Sequence, residues 1–592
     1  MRIGRGVAGR QGCRAGIMAF GLAVFGAAGA HAAPTALPTV PQVSPLQHIM
    51  PHAAPNLGQS LPDFRPVGRE GAVPDQSVPV HSVAVLGATA FSPAQLRATV
   101  GKLIGAATPL PAIEAARLRL LALYRGHGYV LTAVSAEINR SGDLRFIVTE
   151  GHIVSVKLSR NIGPVGTLVL GFLDHLTHER PVRQASLEHW LLLAQQIPGV
   201  AVGAVLQPNA AAPGALTLVA DVVRRPFSAL VTADNRGFDE TGPAEGLVVG
   251  DMNSFTSLGE QSQASFFHTS GGTNNFGQFS ESFFAGTSGL RIGIYFGAGR
   301  AIPSGTLREV GYRAHLDVFG LYASYPLWLE RGQSLELKAR FDGTDNIVYT
   351  ASGFSGAETP ASTDSVRALR IELDEAFSDD VLGAARPALT TATLEASRGL
   401  RLFGASANGR SNAGRLGERF DFWKIDLSLD RTQTLFNPWR NASVALEGTF
   451  GGQYSPDILP SSETFYLGGN HIAQGYYSGQ VTGDDALYAS AELQLNTPLN
   501  LRLLGRHFFI GSQFYTFYDW GQVWQNEPRT LGQKPNDKRL ASFGGGVRLR
   551  LTRRIEFDIA AVHRLVTQLQ PPASGVPPLR ETAVYWGVLA RY

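Results

Sequence analysis

From Phe227 onward the chain alternates apolar and polar residues in segment after segment. Leu487, Ala489, Ala491, Leu493 and Leu495 oppose Tyr488, Ser490, Glu492, Gln494 and Asn496, and Pro498 ends the run. Period two over about ten residues predicts a β-strand with one apolar and one polar face. Leu335, Leu337, Ala339 and Phe341 likewise oppose Glu336, Lys338, Arg340 and Asp342. Ile425, Leu427 and Leu429 oppose Asp426, Ser428 and Asp430, while Phe543, Val547, Leu549 and Leu551 oppose Arg548, Arg550 and Thr552. In a soluble sheet the charged face would point to water. In a membrane barrel that face lines the lumen and the Leu/Val face meets lipid. The 366 residues from Phe227 to Tyr592, shared among sixteen strands, give about 23 per strand, enough for ten spanning residues and a turn; fourteen or eighteen strands also fit.

Ahead of this region the period changes. His81 to Leu86 reads as a strand, and Ser92 followed by Pro93 is an N-cap with proline at the first helical position, opening a helix to Val100. A second helix from Pro111 to Arg125 carries Ile113, Ala116, Leu120, Leu121 and Tyr124 on one stripe, and Gly126 to Gly128 stops it. Strands at Val130 to Ala136 and Leu144 to Thr149 follow, giving the order β-α-α-β-β. The same order returns with a strand at Ile153 to Leu158, helices at Thr167 to Leu176 and Ser186 to Gln196, and strands at Val200 to Gln207 and Leu216 to Val223. Two units of about seventy residues in one order are an internal repeat.

The N-terminus adds an address. Arg2, Arg5, Arg10 and Arg14 precede the apolar Ala15 to Ala28, and Ala30-His31-Ala32 is a small-x-small cleavage site, so residues 1–32 read as a signal peptide and the mature chain is expected to begin at Ala33. Cys13, the single cysteine, lies in this leader, which excludes disulfides, thiolate catalysis and cysteine-held zinc from the remainder. Residues 33–77 carry nine prolines from Pro34 to Pro74 and read as an extended linker. Pro51 stands between His48 and His52 and argues against a metal pair at helical spacing. After the leader no run of 18 apolar residues occurs. Charged residues make up 17 % of the chain against the usual quarter, and Gly reaches 67 residues, a composition that suits a turn-rich barrel with one lipid-facing side. A net charge of +3 gives no footing for nucleic acid as a partner.

Enzyme signatures are missing from the sequence: there is no GxSxG elbow, HExxH, Walker loop or suitably placed GxGxxG. No catalytic, cofactor or metal residue is therefore expected. Asp379-Asp380 and Asp484-Asp485 stand in Gly- or Ser-bearing stretches and read as solvated turns. The segment from Phe465 to Gly483, with Gly468, Gly469, Gly475, Gly479 and Gly483 among aromatics, is too long for a hairpin turn and reads as a functional loop.

Taken together, the leader, the proline-rich segment, the repeated β-α-α-β-β units and the long barrel resemble the two-partner secretion transporters, the hemolysin activation and secretion family. The repeated units resemble polypeptide-transport-associated (POTRA) domains, and Phe146 to Gly151 resembles their closing strand. The resemblance implies a leader (1–32), a linker or plug (33–77), POTRA 1 (78–151), POTRA 2 (152–225) and an outer-membrane antiparallel β-barrel (226–592). Gln474-Gly475-Tyr476 stands where the family carries Arg-Gly-Tyr/Phe in its sixth extracellular loop, and Phe517-x-Asp519-x-Gly521 matches its Phe-x-Asp-x-Gly barrel-wall motif. Also similar are Asp234-Asn235 with Gly237 on the first strand, and Phe465 with Leu467-Gly468-Gly469. By the resemblance the loop folds into the lumen onto Asp519, with the Gln474 amide replacing the arginine as donor. The closing strand, with Trp586, Val588 and Tyr592, resembles the assembly signal read by the barrel insertion machinery. The implied partners are a large secreted exoprotein and outer-membrane lipid. A barrel-assembly factor of the same superfamily, or a porin or adhesin, are the other readings, and the prolines leave no evident plug helix.

Overall fold

The computed structural model describes residues 43–51, 55–58, 74–351, 358–503, 506–527, 536–569 and 578–592. The expected leader and most of the proline-rich segment lie outside these. The described part of that segment corrects the expectation of a purely extended linker: Leu46–Ile49 forms one helical turn, α1, directly after Pro45. Proline suits a helix start, where its missing N–H would have no partner.

The first α+β unit is more elaborate than the sequence pattern indicates. Strands β1 (Ser77–Val80) and β2 (Ser82–Leu86) precede α2 (Pro93–Val100), and β3 (Gly105–Pro109) precedes α3 (Leu110–Gly126). Strands β4 (Ala133–Ile138) and β5 (Asp143–Thr149) close the unit. The main sheet runs β2-β5-β4, with β2 parallel to β5, while β1 and β3 pair separately. These last two escape a periodicity search because each is short and carries proline. The cap at Ser92 forms as expected, reinforced by a reciprocal bond from Gln95. Along α3 the residues Ile113, Ala116, Leu120 and Tyr124 are all buried, as the 3.6-residue stripe requires.

The second unit comprises β6 (His152–Leu158), α4 (Val165–Asp174), α5 (Gln184–Gln195), β7 (Val200–Pro208) and β8 (Ala215–Arg224), in a β6-β8-β7 sheet. Its core continues into the barrel, because Phe284 and Leu329 are buried in the same cluster as Phe172 and Leu192. Contacts come from three turns at the near rim of the barrel. Gly259 leaves room for Leu168, Thr287 meets Gly171, and Arg331 reaches Glu188 at 2.9 Å. A shared apolar core resists rotation better than the polar interface usual between domains.

The barrel begins with β9 (Phe227–Asp234), β10 (Glu245–Asn253), β11 (Gln261–Thr269), β12 (Asn274–Phe284) and β13 (Arg291–Ala301). It continues through β14 (Arg313–Glu330), β15 (Gln333–Ala351), β16 (Glu358–Asp379), β17 (Ala388–Gly399), β18 (Trp423–Phe436) and β19 (Ser443–Tyr454). Two short strands, β20 (Phe465–Leu467) and β21 (Val481–Gly483), pair with each other in the far-rim loop that follows. The wall resumes with β22 (Asp485–Leu503), β23 (Arg506–Gln525), β24 (Asn536–Arg550), β25 (Ile555–Arg564) and β26 (Thr582–Arg591), which closes on β9. The antiparallel barrel has sixteen strands. Among the described residues no helix is long and apolar enough to cross a membrane.

The alternation predicts the facing of the strands. Leu487 and Leu493 are exposed on the outer wall, whereas Tyr488, Glu492 and Gln494 are buried inside. Phe279, Leu369, Leu427, Tyr518 and Ile559 extend the outer apolar band. The closing seam is short: β26 meets β9 over five residue pairs, against eleven between β12 and β13. Asn235 extends it, its side-chain amide donating to Val584 O at 3.1 Å and its Oδ1 accepting from Trp586 N at 2.8 Å.

Candidate functional site: a loop docked inside the barrel

The loop between β19 and β22 is the sixth at the far rim, and it turns inward. Its tip descends to Asp519, six positions below the Gln525 end of β23. The Gln474 backbone N–H donates to Asp519 Oδ2 at 2.7 Å, and the Ser490 hydroxyl donates to Oδ1 at 2.6 Å. This corrects the expectation of a side-chain bond, since the main chain of residue 474 makes the contact. Asp519 is fully buried, so these donors matter.

Two arginines of the wall hold the tip from the other side. Arg236, just after β9, donates from Nη1 to Gln474 O at 2.6 Å and lies 4.3 Å above the Tyr585 ring. Arg564, the last residue of β25, donates from Nε to Gly475 O at 2.6 Å and from Nη2 to the Tyr585 hydroxyl at 2.7 Å. Peptide carbonyls thus receive charge-assisted bonds in a shielded place, each stronger than a neutral pair. The cation that the loop lacks is supplied by the barrel.

Gly475 fits because it has no side chain. An added Cβ would stand 2.5 Å from Ser542 Cβ and 2.8 Å from Val562 Cγ1. Tyr476 is fully buried, its hydroxyl 2.8 Å from Ala541 O and accepting from Val566 N at 3.2 Å. From the wall motif, Phe517 is buried beside Tyr515, and Gly521 makes room for Leu467, whose Cδ1 would lie 2.8 Å from an added Cβ. The structure therefore gathers Gln474, Gly475, Tyr476, Asp519 and Gly521 around the docked loop. Trp586, Val588 and Tyr592 lie apart from it on the closing strand, with Trp586 and Tyr592 exposed.

The base of the loop rests on groups that local sequence does not reveal. Asp484 is wholly buried and accepts a bidentate pair from Arg415 of the fifth far-rim loop, at 2.6 and 2.8 Å. It also accepts from Leu459 N and Asn526 N. The solvated-turn reading fails here because tertiary donors surround the carboxylate. Asp379, at the partly exposed end of β16, pairs with Arg431 at 2.7 Å, and Asp380 after it is exposed, as a solvated turn requires. Midway along the loop Glu463, 3 % exposed, receives two bonds from Arg370, at 2.6 and 3.0 Å, with Lys424 at 3.3 Å. Arg370 also reaches Asp342 at 2.6 Å. Arg236 could have been found beside the Asp234-Asn235 motif, whereas Arg564 gives no sequence signal beyond ending an alternating strand.

The lumen holds a second occupant. Leu46 and Ile49 of α1 pack on Leu247, Val249, Phe267 and Phe276 of the inner wall, and His48 Nε2 lies 3.6 Å from Glu245. At the near rim Gly332 N donates to Leu57 O at 2.9 Å. His52, the other histidine of the pair, lies outside the described residues, and among the described residues no cluster fit for a metal occurs.

One loop contact carries a pH prediction. Glu418, in the fifth far-rim loop, is buried against Asp364 and accepts from Gly414 N and Arg415 N. Burial first, and the Asp364 charge second, push its carboxyl up to about 8. A carboxyl raised on folding stabilises below its unfolded range near 4.3 and loses that contribution as pH climbs through the folded value. Protease cleavage within residues 400–422 is thus expected to be slower at pH 6 than at pH 9. Glu418→Gln should flatten the difference, and a pH profile unchanged by that substitution would reject the assignment.

Comparison with known proteins bears on the domains and the fold. Residues 376–549 match the model of the haemolysin secretion/activation proteins ShlB/FhaC/HecB, and residues 78–151 match the ShlB-type POTRA domain. The heme/hemopexin transporter protein HuxB of Haemophilus influenzae (strain 86-028NP) is 20 % identical over 435 residues, which is 72 % of each chain. CdiB from Escherichia coli has the same fold at 16 % identity, with a TM-score of 0.66 over 89 % of this chain and 92 % of that one. For CdiB from Acinetobacter baumannii the values are 14 %, 0.60, 91 % and 95 %. From these matches and the sixteen-stranded architecture, residues 376–549 carry a ShlB/FhaC/HecB-type haemolysin secretion/activation domain and residues 78–151 a ShlB-type POTRA domain, in an outer-membrane β-barrel protein with its POTRA domains in the periplasm.

Proposed function

We propose that this transporter carries a large unfolded exoprotein from the periplasm to the cell surface, without a catalytic step. The supporting observation is a lumen whose wall is polar and charged over much of its area and which holds two segments of the chain, the tip of the sixth loop and α1. A wall bearing Arg340, Asp342, Glu395, Glu492 and Arg548 suits the solvated backbone of an extended chain better than a folded apolar surface. At the entrance, the sheet edges β2, β4, β6 and β7 offer backbone groups to which an extended client can add a strand. Folding outside the cell would supply direction. The closing strand, through Trp586, Val588 and Tyr592, serves the insertion machinery, and the outer apolar band meets lipid.

Deletion of the gene tests this. Disappearance of one large protein from the surface and medium supports secretion, whereas general loss of outer-membrane barrels would favour an assembly factor. A change confined to small-solute uptake would overturn both readings. HuxB is named a heme/hemopexin transporter, so a client handling haem is the first narrower class to examine. If the α1 segment obstructs the pore, deleting residues 43–58 should raise single-channel conductance in planar bilayers several-fold. Unchanged conductance would place the main obstruction in the sixth loop alone.

A further inference from the structure

Outside the lumen, one notch stands where POTRA 2 meets the outer wall. It measures about 230 Å³ and is lined by Ala185, Ser186, His189 and Trp190 of α5 and by Leu327, Trp328, Leu329 and Glu330 at the periplasmic end of β14. The register shift between Pro326 and Trp328 breaks the strand alternation, so Leu327 and Trp328 are both exposed. These two side chains belong to the wall surface that meets lipid.

Helix α5 continues that surface. Trp190 stacks on His175 with ring centres 4.0 Å apart, and His175 Nε2 lies 3.1 Å from Thr287 O in the β12–β13 turn. His189 Nδ1 lies 3.2 Å from Leu329 O. The helix is thereby pinned to the rim with its tryptophan beside Trp328. Tryptophan favours the level of lipid headgroups, where its ring meets apolar chains and its N–H meets polar groups. Exposed His175, whose Nε2 faces Thr287, leaves its Nδ1 side toward solvent beside Trp190, where a polar headgroup can meet it.

We propose that this notch seats a glycerophospholipid of the periplasmic leaflet, its glycerol and upper acyl chains against Trp190, Leu327 and Trp328 and its headgroup toward His175. Continuity with the lipid-facing wall is what selects this occupant. The lipid fastens POTRA 2 to the membrane as well as to the barrel.

The full chain suits a labelling experiment, because its single cysteine, Cys13, lies in the expected leader. Ser186→Cys and, as a distant reference, Ser141→Cys in the POTRA 1 turn would each carry an environment-sensitive fluorophore. In proteoliposomes of phosphatidylethanolamine and phosphatidylglycerol, lipids brominated high on the acyl chain should quench position 186 at least threefold more than position 141. Native mass spectrometry should find one retained phospholipid, lost in the Trp190→Ala/Trp328→Ala variant, while heat-modifiable migration shows that its barrel remains folded. Equal quenching at the two positions would overturn the proposal. So would unchanged lipid retention in the double variant, or quenching at 186 replaced by a cross-link to a client peptide or to a second copy of this chain.

Discussion

Asp519→Ala is expected to release the tip of the sixth loop and to stop secretion, whereas Gln474→Ala and Tyr518→Ala leave both nearly intact. The alanine removes the acceptor for the Gln474 N–H and the Ser490 hydroxyl. A buried donor left without a partner costs about 1–3 kcal/mol, enough to shift a docking equilibrium by one to two decades. Gln474→Ala keeps the backbone N–H that makes the contact. Tyr518 is 51 % exposed on the outer wall and touches neither the loop nor Asp519 by any bond described above. Surface delivery of the client, read together with protease access to residues 465–483, checks all three. Equal damage from Gln474→Ala and Asp519→Ala would refute docking through the main chain.

Arg370→Ala should have the largest effect on the barrel itself. The guanidinium bridges Asp342 of β15 to Glu463 of the sixth loop and also donates to Ser397 of β17. Its loss leaves Glu463 to Lys424 and Asp342 to Arg340, each short of one buried cation, and breaking one member of such a cluster typically costs about 3–5 kcal/mol, less where remaining partners or lumen water compensate. The heat-modifiable transition should fall, and the loop should loosen from its middle. Adding Glu463→Ala to Arg370→Ala should cost less than the sum of the two single changes, because the Arg370–Glu463 contact is lost only once. Strictly additive damage would show that the pair is not coupled.

Much of the architecture is legible in the sequence because its causes are local. Alternation such as Leu487/Tyr488 fixes which face meets lipid, Ser92-Pro93 fixes a helix start, and the Ile113 to Tyr124 stripe fixes a buried face. Strands β1 and β3 are not legible, since Ser77–Val80 and Gly105–Pro109 are held by each other rather than by periodicity. The site divides in the same way. Gly475 and Asp519 stand out through motif resemblance, yet Asp484, Glu463, Arg370 and Arg564 acquire their roles only when loops and strands far apart in sequence meet. A buried aspartate in a turn and a solvated one have the same neighbours in sequence. The difference lies in Arg415, 69 residues away.

Where the family resemblance places an arginine at the loop tip, this chain has Gln474, and the positive charge stands instead on Arg236 and Arg564 of the fixed wall. The tip can therefore withdraw as neutral peptide, dragging no guanidinium out of its ion pair. Under the proposed function Arg236 Nη1 and Arg564 Nε would stay behind to meet carbonyl oxygens of a passing chain, while Arg564 keeps the Tyr585 hydroxyl. A tip held through its main chain would, on that proposal, leave behind donors suited to the main chain of another segment.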